Sequence, residues 1–264
     1  MAIGQAIERA ADLIKKSKYA IAVTGAGMSA ESGIPTYRGE GGLWTSLGEP
    51  DPRSYDTFLA DPKAWWEKSM RPNEADEPEA RRRFRRALET GKPNAGHYAL
   101  AHLEHVGLIR HTITQNVDGL HRIAGSRKLS EIHGNRLLLR CMDCSLRLPR
   151  AEFRVRKMPP LCPECGGIIK GDGVMFGEPI PRDVLSRCVE ETIKADCVLV
   201  LGTSGTVYPA AGFPLQAKDR GAHLIEINLN ATPLSYIADI SLVLPTGEAL
   251  PQIAARILKD LPVD

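Results

Sequence analysis

Short apolar runs alternate with amphipathic segments along most of the chain. Between Ile3 and Ile14 the apolar residues recur at helical spacing, which predicts an amphipathic helix. The run from Tyr19 to Val23 is rich in apolar and β-branched residues and has the length of a buried strand. The same alternation returns after Pro93. This order predicts an α/β fold, a Rossmann-like parallel sheet with helices on both faces.

The elements beyond Pro93 set the extent of this sheet. Apolar runs predict strands at 111–115, 129–132, 197–201, 224–227 and 241–244. Helical periodicity predicts helices at 95–106 and 182–195, a helix between 206 and 224, and a closing helix from Leu250. Two segments interrupt the alternation. We therefore expect one sheet domain assembled from residues 1–38, 93–135 and 171–264, with two smaller modules between its parts.

The first interruption, residues 39–92, predicts an inserted helical module. It opens with prolines and glycines, continues through a helical stretch at 58–70, and ends with an acidic stretch at 74–79 that runs into five arginines. Acidic residues ahead of basic ones suit the two ends of a helix. An anion-binding or protein-binding patch is possible at the arginines, but a solvated helix face is the favoured interpretation. The arginines are Arg81, Arg82, Arg83, Arg85 and Arg86.

The second interruption, residues 136–170, carries four of the six cysteines. They form two CxxC pairs, Cys141 with Cys144 and Cys162 with Cys165. Two residues between cysteines let both thiolates reach one ion, and four thiolates complete a tetrahedral shell without water. The spacing predicts a zinc-binding module with one structural Zn²⁺, and disulfides are the alternative. Cys188 and Cys197 lack such spacing and are predicted to be core residues.

A glycine-rich turn follows the first predicted strand. The chain passes from Thr24 directly into Gly25, Ala26 and Gly27. Such a turn is a candidate cradle for a dinucleotide, because it lets the backbone approach a phosphate beside the start of a helix. The match to the dinucleotide fingerprint is incomplete, since no second strand ends in an acidic residue about 20 positions later. An ordinary tight turn in an α/β domain therefore remains open.

Polar residues or glycines follow five of the predicted strands. Ligands of open α/β sheets gather beyond the carboxyl ends of the strands, so these positions are expected to form one rim. Each of them alone would be interpreted as a turn residue or a helix cap, and only their coincidence favours a binding site. The rim positions are Thr24, Gly25, Gln115, Asn116, Asp118, His133, Thr203, Ser204 and Asn228.

Length and charge exclude several classes of protein. The 264 residues are 43% hydrophobic, which is enough for a substantial core, and 34 basic against 32 acidic residues leave a net charge of +2. That balance gives no general case for binding nucleic acid or a membrane. No apolar run approaches the roughly 20 residues that span a bilayer, and the first 16 residues do not have the pattern of a signal peptide. We expect a cytoplasmic protein.

Taken together, the motifs resemble those of the sirtuins, the NAD-dependent protein deacylases, in the same order along the chain. The motifs are GAGMSAESGIPTYRG (25–39), TQNVDGLH (114–121), HG (133–134), the two CxxC pairs, VMFGE (174–178), GTSGTVYPAA (202–211) and NLNATP (228–233). The resemblance covers almost the whole chain. It implies that the sheet domain binds NAD and that the enzyme removes acyl groups from lysine.

The resemblance also implies which residues bind the cofactor. Gly25 and Ala26 would face the pyrophosphate, Tyr37 would shield the nicotinamide ribose, and Arg38 would help to hold the flexible cofactor loop. Gln115 would lie beside that ribose. The remaining implied contacts are Asn116 and Asp118 in the nicotinamide pocket, Gly202, Thr203, Ser204 and Asn228 at the adenosine ribose, and Thr246 and Gly247 near the adenine.

The implied reaction assigns catalytic roles to His133 and Asn116. The acyl-lysine carbonyl oxygen attacks the anomeric carbon as nicotinamide leaves, and His133 then removes a proton from a ribose hydroxyl. The products are nicotinamide, O-acyl-ADP-ribose and free lysine. A histidine suits this role because its neutral form is available near pH 7. The other histidines, which are interpreted as structural, are His97, His102, His105, His111, His121 and His223.

The VMFGE motif implies the substrate site. An acyl-lysine peptide would add as an extra strand along Val174, Met175, Phe176 and Gly177, so that main-chain hydrogen bonds supply affinity with little sequence preference. We hypothesise that Val174 and Phe176 line the acyl tunnel. The expected partners are therefore acyl-lysine proteins or peptides, with neither a membrane nor nucleic acid as the main ligand. The protein is expected to be a monomer.

Two departures from the sirtuin pattern bear on the substrate. Sirtuins that remove succinyl or malonyl groups carry Tyr-x-x-Arg where the alignment places Trp66 and Ser69. Without a guanidinium to bind a carboxylate, neutral acyl groups are predicted to be favoured. The second departure is the Lys170–Gly171–Asp172 segment, where relatives usually have Arg-Pro, and it leaves fine substrate preference open.

Three alternatives stay open beside the deacylase. A protein ADP-ribosyltransferase or an NAD glycohydrolase would use the same cofactor with another acceptor. A hydride-transferring dehydrogenase is disfavoured, because the second strand and its ribose carboxylate are missing. A zinc-ribbon nucleic-acid binder would draw on the basic residues near the cysteines, so an auxiliary contact with DNA is conceivable. These basic residues are Arg136, Arg140, Arg147, Arg150, Arg154, Arg156 and Lys157.

Overall fold

A six-stranded parallel sheet forms the centre of the protein in a computed structural model that describes residues 2–70 and 77–259. Its strands are β1 (Ala20–Thr24), β2 (Ile109–Thr114), β3 (Leu129–Glu131), β7 (Cys197–Leu201), β8 (His223–Asn228) and β9 (Ile240–Val243). They lie in the order β3-β2-β1-β7-β8-β9, and every pair is parallel. The predicted Rossmann-like parallel sheet is thereby confirmed.

Helices cover both faces of the sheet. The described α-helices are α1 (Ile3–Lys16), α2 (Leu43–Leu47), α3 (Ser54–Ala60), α4 (Pro62–Met70), α5 (Glu79–Thr90), α6 (Ala95–His105), α7 (Leu120–Ala124), α8 (Arg182–Lys194), α9 (Gly212–Asp219) and α10 (Thr246–Leu258). Two 3₁₀ segments, Ala26–Ser32 and Pro233–Tyr236, complete the set among these residues. No described helix is both long enough and apolar enough to cross a bilayer.

Alternate residues of the strands build the two cores. On one face Ala20, Ala22 and Leu199 pack with residues of α1, α6 and α10, and on the other face Ile21 and Val198 pack with residues of α8 and α9. Because successive side chains of a strand point to opposite faces, a strand covered on both sides is apolar at every position. This explains why the runs at β1 and β7 are continuous. Cys188 and Cys197 are fully buried in these cores, as predicted.

The cysteine module forms a second, antiparallel sheet of three strands. These are β4 (Leu138–Cys141), β5 (Arg147–Pro149) and β6 (Ile169–Gly171), in the order β5-β4-β6. Trp66 of α4 packs against this module, and its indole nitrogen donates a hydrogen bond to the carbonyl oxygen of Ile169 at 2.8 Å. Helix α4 thus packs against the cysteine module. The predicted module boundaries, 39–92 and 136–170, remain a prediction.

Helix α10 begins at Thr246, four residues earlier than the apolar pattern predicts. Its first turn is polar, and tertiary contacts fix it: the amide of Gly247 donates to the carboxylate of Glu31 at 2.7 Å. Pro251 lies inside the helix and masks its continuity in the sequence. The positions Thr246 and Gly247 therefore belong to a helix N-terminus and not to the loop before it.

The arginine-rich segment forms the exposed face of α5. Arg81, Arg83 and Arg86 are exposed, and Arg85 pairs with Glu77 at 3.1 Å. The buried residue of the helix is Phe84. The favoured interpretation as a solvated face fits this arrangement, whereas residues 74–76 of the predicted acidic stretch lie outside the described residues.

Candidate active site at the carboxyl edge of the sheet

The glycine turn after β1 packs directly against the turn after β7. A Cβ atom on Gly25 would lie 2.6 Å from the Cβ atom of Thr203, and one on Gly27 would lie 2.8 Å from the Cα atom of Gly202. The amide of Gly27 donates to the carbonyl of Gly202 at 2.8 Å. A side chain at either position would therefore clash with the protein itself, whether or not a ligand is bound. The contact brings two of the predicted rim segments together.

A hydrogen-bonded trio of polar side chains lies beside this turn. Ser29 donates to a carboxylate oxygen of Asp118 at 2.7 Å, and the side-chain amide of Asn116 donates to Ser29 at 3.1 Å and to the carbonyl of Gly25 at 3.0 Å. All three side chains are buried. Burial raises the pKa of Asp118, which the bonds from Ser29 and from the amide of Leu120 oppose. This buried carboxylate retains lone pairs that can accept from an amide ligand.

The trio opens into a cavity whose other walls are apolar. The cavity is lined by Ala26, Ser29, Ile34, Pro35, Tyr37, Phe84, Leu88, Asn116, Val117 and Asp118. Apolar walls around a few convergent polar groups are the usual composition of a small-molecule site. The residues present fit a flat aromatic carboxamide such as nicotinamide, with a carboxylate and an amide for its polar end and aliphatic or aromatic walls for its ring.

Tyr37 lies in the wall of this cavity, whereas Arg38 is not among its lining residues. The Tyr37 ring packs on Trp44 and Phe84, with ring centres 4.6 and 5.3 Å apart, and burial raises its pKa to about 12. The exposed guanidinium of Arg38 pairs with Glu49 at 2.8 Å and stacks on Trp44. The predicted role of Arg38 in holding a cofactor loop stays a prediction, and its guanidinium bonds to Glu49.

His133 lies beside Gln115 at the end of β3. Its Nδ1 atom is 3.2 Å from the carbonyl oxygen of Gln115. A carbonyl only accepts hydrogen bonds, so Nδ1 carries the proton and Nε2 keeps its lone pair. Burial lowers the pKa of His133, which keeps the imidazole neutral near pH 7. The Gln115 side chain donates to Thr203 at 2.9 Å and so connects His133 to the turn after β7.

A second cavity lies on the other side of the glycine turn. Its lining residues are Gly27, Ala30, Glu31, Gly202, Asn228, Leu229, Leu244, Pro245 and Thr246. The amide of Asn228 donates to the carbonyl of Thr203 at 2.9 Å. Ser204 is exposed and pairs with Thr206 at 2.8 Å. Of the residues predicted at the adenosine end, Gly202, Asn228 and Thr246 therefore share this cavity, with Gly247 next to them, while Ser204 faces solvent.

The segment from Val174 to Gly177 follows β6 and ends in a turn. The amide of Val174 donates to the carbonyl of His133 at 2.9 Å, and the amide of Glu178 closes a turn onto the carbonyl of Met175 at 3.0 Å. Gly177 has a φ of 82°, which favours glycine at this position of the turn. Phe176 packs edge-on against Trp44 at 5.4 Å. The predicted substrate segment is thus tied directly to His133.

The four CxxC cysteines converge on one point. Their sulfur atoms all lie within 4.8 Å of one another, with 3.4 Å between Cys141 and Cys165 and 3.7 Å between Cys144 and Cys162. Tetrahedral zinc with bonds of about 2.3 Å separates its sulfur ligands by about 3.8 Å, whereas a disulfide requires about 2.05 Å. The four thiols therefore fit a four-coordinate metal ion and not two disulfides.

The positions Trp66 and Ser69 do not line either cavity. Trp66 is buried against the cysteine module, and the Ser69 hydroxyl donates to the carbonyl of Trp66 within α4 at 2.9 Å. These two positions therefore give no information about the acyl pocket, and the preference for neutral acyl groups stays a prediction.

Sequence reasoning missed three residues that complete the site. Ser29 organises the polar trio, Glu31 holds the first turn of α10, and Phe84 closes the first cavity from α5. The polar character of Ser29 and Glu31 inside an otherwise small-residue turn is a usable signal. Nothing local marks Phe84, because it comes from a module distant in sequence.

The parallel sheet and the polar cavity at its carboxyl edge define the chain as a Rossmann-like α/β protein with a ligand site at the rim and an appended four-cysteine module. Residues 25–209 match the Sir2 family. Among the relatives, the NAD-dependent protein deacylase of Thermococcus kodakarensis is 43% identical over 258 residues, which are 96% of this chain and 95% of that protein. The NAD-dependent protein deacetylase of Sulfurisphaera tokodaii is 44% identical, over 92% of this chain and 93% of that protein. The chain belongs to the Sir2 family.

Solved structures of the family superimpose on the whole chain. A Sir2 homolog in complex with NAD has a TM-score of 0.75 and 39% identity, covering 96% of this chain and 94% of that one. A complex of Sir2 with a p53 peptide and NAD has a TM-score of 0.72 and 31% identity, covering 96% and 98%. The fold and its small module are therefore those of this family.

Proposed function

We propose that the protein is an NAD-dependent protein lysine deacylase. It transfers the acyl group of an acyl-lysine to ADP-ribose, with release of nicotinamide, O-acyl-ADP-ribose and unmodified lysine. Membership of the Sir2 family and relatives named as deacylases and deacetylases support this activity. The observation that carries the proposal is the adjacency, on one rim, of the Asn116–Asp118 cavity and the neutral imidazole of His133.

The residues of the rim have separate roles in the proposed reaction. Bound NAD supplies an electrophilic anomeric carbon with nicotinamide as its leaving group. Asp118 accepts a hydrogen bond from the carboxamide, Asn116 orients the same group, and the Tyr37 ring excludes water from the ribose. His133 receives the proton of a ribose hydroxyl at Nε2, while the carbonyl of Gln115 holds Nδ1 protonated.

Release of nicotinamide tests the activity and separates it from its alternatives. The purified protein is incubated with NAD, with and without an acetyl-lysine peptide, and the products are identified by mass spectrometry. A deacylase releases nicotinamide only when the peptide is present, and acetyl-ADP-ribose accumulates. Release without the peptide would identify an NAD glycohydrolase, and an ADP-ribosylated protein would identify a transferase. An absorbance change at 340 nm would identify a dehydrogenase.

We propose that the four-cysteine site holds one structural Zn²⁺. The four converging sulfur atoms would fill all four positions of a tetrahedral shell, which supports a closed structural site. In this role the ion fixes the fold of the module and takes no part in the chemistry. Elemental analysis should find about one zinc per chain, and four titratable thiols with no bound metal would contradict it.

We propose that the enzyme prefers neutral acyl groups, and the side chains near the substrate segment support this preference. The side chains around the segment that would bind the acyl-lysine are aromatic: Phe176 packs on Trp44, which packs on Tyr37. Arg38, the cation that stacks on Trp44, is paired with Glu49. Turnover of acetyl and succinyl peptides is compared, and faster removal of succinyl would overturn the preference.

We infer further that the protein acts on acyl-lysine proteins or peptides as a cytoplasmic monomer, without nucleic acid as its main ligand. A relative solved with a p53 peptide supports a peptide substrate, and the near balance of charge supports the last point. Light scattering on a size-exclusion column tests the monomer, and a dimer would contradict it.

A further inference from the structure

A cluster of four buried charges lies under the proposed substrate segment. Arg140 and Lys170 face each other across the β4–β6 pair, and Asp172 and Glu178 flank that segment on both sides. The side chains of Arg140, Asp172 and Glu178 are 2–6% exposed, and that of Lys170 is completely buried. Two positive and two negative charges cancel. A lysine almost never sits this deep unless its ammonium is fully satisfied.

The ammonium of Lys170 is bound entirely by the segment that it precedes. Its Nζ atom donates to the carbonyl of Gly171 at 2.7 Å and to the carbonyl of Gly173 at 2.6 Å, and it pairs with Glu178 at 3.1 Å. Three donors thus meet three acceptors, the full capacity of the group. These contacts hold both ends of the segment, Gly171 and Glu178, at one buried ammonium group.

Glu178 also holds the middle of the segment. One of its carboxylate oxygens accepts from the amide of Met175 at 2.8 Å as well as from Lys170, and the other accepts from Arg140 at 2.5 Å. Since the amide of Met175 and the carbonyl of Gly173 are held inward, the backbone between them has one conformation. The carbonyl of Val174, which lies between those two groups, is then presented in a fixed direction.

The same cluster reaches the loop that carries His133. Asp172 accepts a hydrogen bond from the amide of Asn135 at 2.9 Å, and the amide of Val174 donates to the carbonyl of His133 at 2.9 Å. Gly134 permits this approach, because a Cβ atom there would lie 2.1 Å from the carbonyl oxygen of Asp172. These contacts fix the position of the substrate segment relative to the loop that carries His133.

We propose that Lys170 is a positioning residue for the acyl-lysine substrate: its buried ammonium fixes the backbone of residues 171–178 so that the peptide finds a preformed edge. This inference rests on the proposed function. Lys170 supplies the cation that the cluster needs, and the main-chain carbonyl of Gly171 supplies one of its acceptors. Preformed edges favour binding because less conformational entropy is lost.

The test replaces Lys170 with methionine, which keeps the length of the side chain and removes the charge. We expect the KM for an acetyl-lysine peptide to rise at least about tenfold, because a shift on the order of 1 Å in a positioning element has effects of this size. The Kd for NAD, measured by calorimetry, should stay within about twofold, because none of the residues proposed to bind NAD belongs to the cluster. The conservative variant K170R should restore the KM for the peptide.

Lys218→Met is the matched control. Lys218 lies in the last turn of α9, outside residues 171–178, and forms an ion pair with Asp239 at a partly exposed site. This variant should keep both constants. A folded K170M variant with an unchanged KM for the peptide, or with an equal loss of NAD affinity, would overturn the inference. Wild-type protein without peptide-dependent release of nicotinamide would instead overturn the proposed function itself.

Two further measurements apply if K170M does not fold by circular dichroism. Glu178→Gln retains the shape of the partner and weakens its pairing, so its KM for the peptide should rise in the same direction. In the wild-type protein, hydrogen exchange at the amide of Met175 should be slower than in an unstructured peptide, because Glu178 holds it. Exchange at the unstructured rate would contradict a fixed segment.

Discussion

At the scale of single residues, the site depends on which atoms are already occupied. His133 bonds to a carbonyl through Nδ1, and its lowered pKa keeps Nε2 available as a base. Ser29 and Asn116 hold the buried carboxylate of Asp118 in place. Each of these side chains is held by a hydrogen-bonded neighbour, so its chemistry follows from its surroundings.

Replacing His133 with alanine removes the proposed base. We expect kcat for the acetyl peptide to fall about 10²- to 10⁴-fold, the usual contribution of general base catalysis. The matched control is His105→Ala at the exposed end of α6, which should retain full activity. Steady-state kinetics on both variants decide the matter, and a fully active H133A variant would rule out the assignment.

Replacing Ser29 with alanine removes the side-chain donor to Asp118. Hydrogen bonds to charged groups contribute on the order of 1.5–3 kcal/mol, so kcat/KM for NAD should fall at least about tenfold. Ser186→Ala on the exposed face of α8 is the control and should change nothing. Equal values of kcat/KM for the S29A variant and the wild type would show that the trio has no part in binding.

At the scale of elements, the turns after β1 and β7 act as one unit. Gly25 and Gly27 lie in backbone contact with Gly202 and Thr203, and Gln115 bridges to Thr203 from the end of β2. Neighbouring strand ends of the rim are hydrogen-bonded to each other. Its shape therefore depends on the absence of side chains at two positions.

Gly27→Ala should separate the two turns. The added Cβ atom would lie 2.8 Å from backbone of Gly202, which cannot move aside as a side-chain end would. Overpacking of this kind destabilises by roughly 1–3 kcal/mol, which chemical denaturation measures. Gly4→Ala in α1 is the control, since nothing lies within 4 Å of its Cβ position. We expect G4A to be neutral or stabilising, and equal stabilities for the two variants would refute the argument.

At the scale of the whole molecule, a buried histidine pair links α6, α7 and the end of β1. The rings of His97 and His121 lie 4.9 Å apart, and His121 bonds to Thr24 at 3.0 Å. Burial lowers the pKa of His97 to about 4, and burial together with His97 lowers that of His121 to about 3. Both imidazoles are neutral in the folded protein at pH 7, in agreement with their predicted structural role.

This pair predicts that stability falls in mild acid. The folded pKa values lie below the unfolded value of about 6.5, so the unfolded chain binds protons first as the pH falls. The stability is complete above about pH 6.5 and should decline by on the order of 1–2 kcal/mol per histidine by pH 5. Urea denaturation at pH 7 and pH 5 measures the change. The decline should be smaller in His97→Gln, and an equal free energy of unfolding at both pH values would contradict the prediction.

Local sequence patterns determined the elements and the class of fold. The continuous apolar runs at β1 and β7 predict strands covered on both faces, and the two CxxC pairs predict a shared ion, because both signals are contained within a few consecutive residues. The turn glycines and the rim positions were also recognisable. The resemblance to the sirtuins then rested on the order of these motifs along the chain.

Only the tertiary structure decided which distant residues meet. Phe84 reaches the first cavity from α5, and Trp66 packs on the cysteine module. Glu31 binds the first turn of α10. The buried partners of Lys170 were equally invisible in the sequence. The physical reason is that a pattern of apolar and polar positions fixes how a segment folds, whereas the neighbour of a given side chain depends on how separate segments pack in three dimensions.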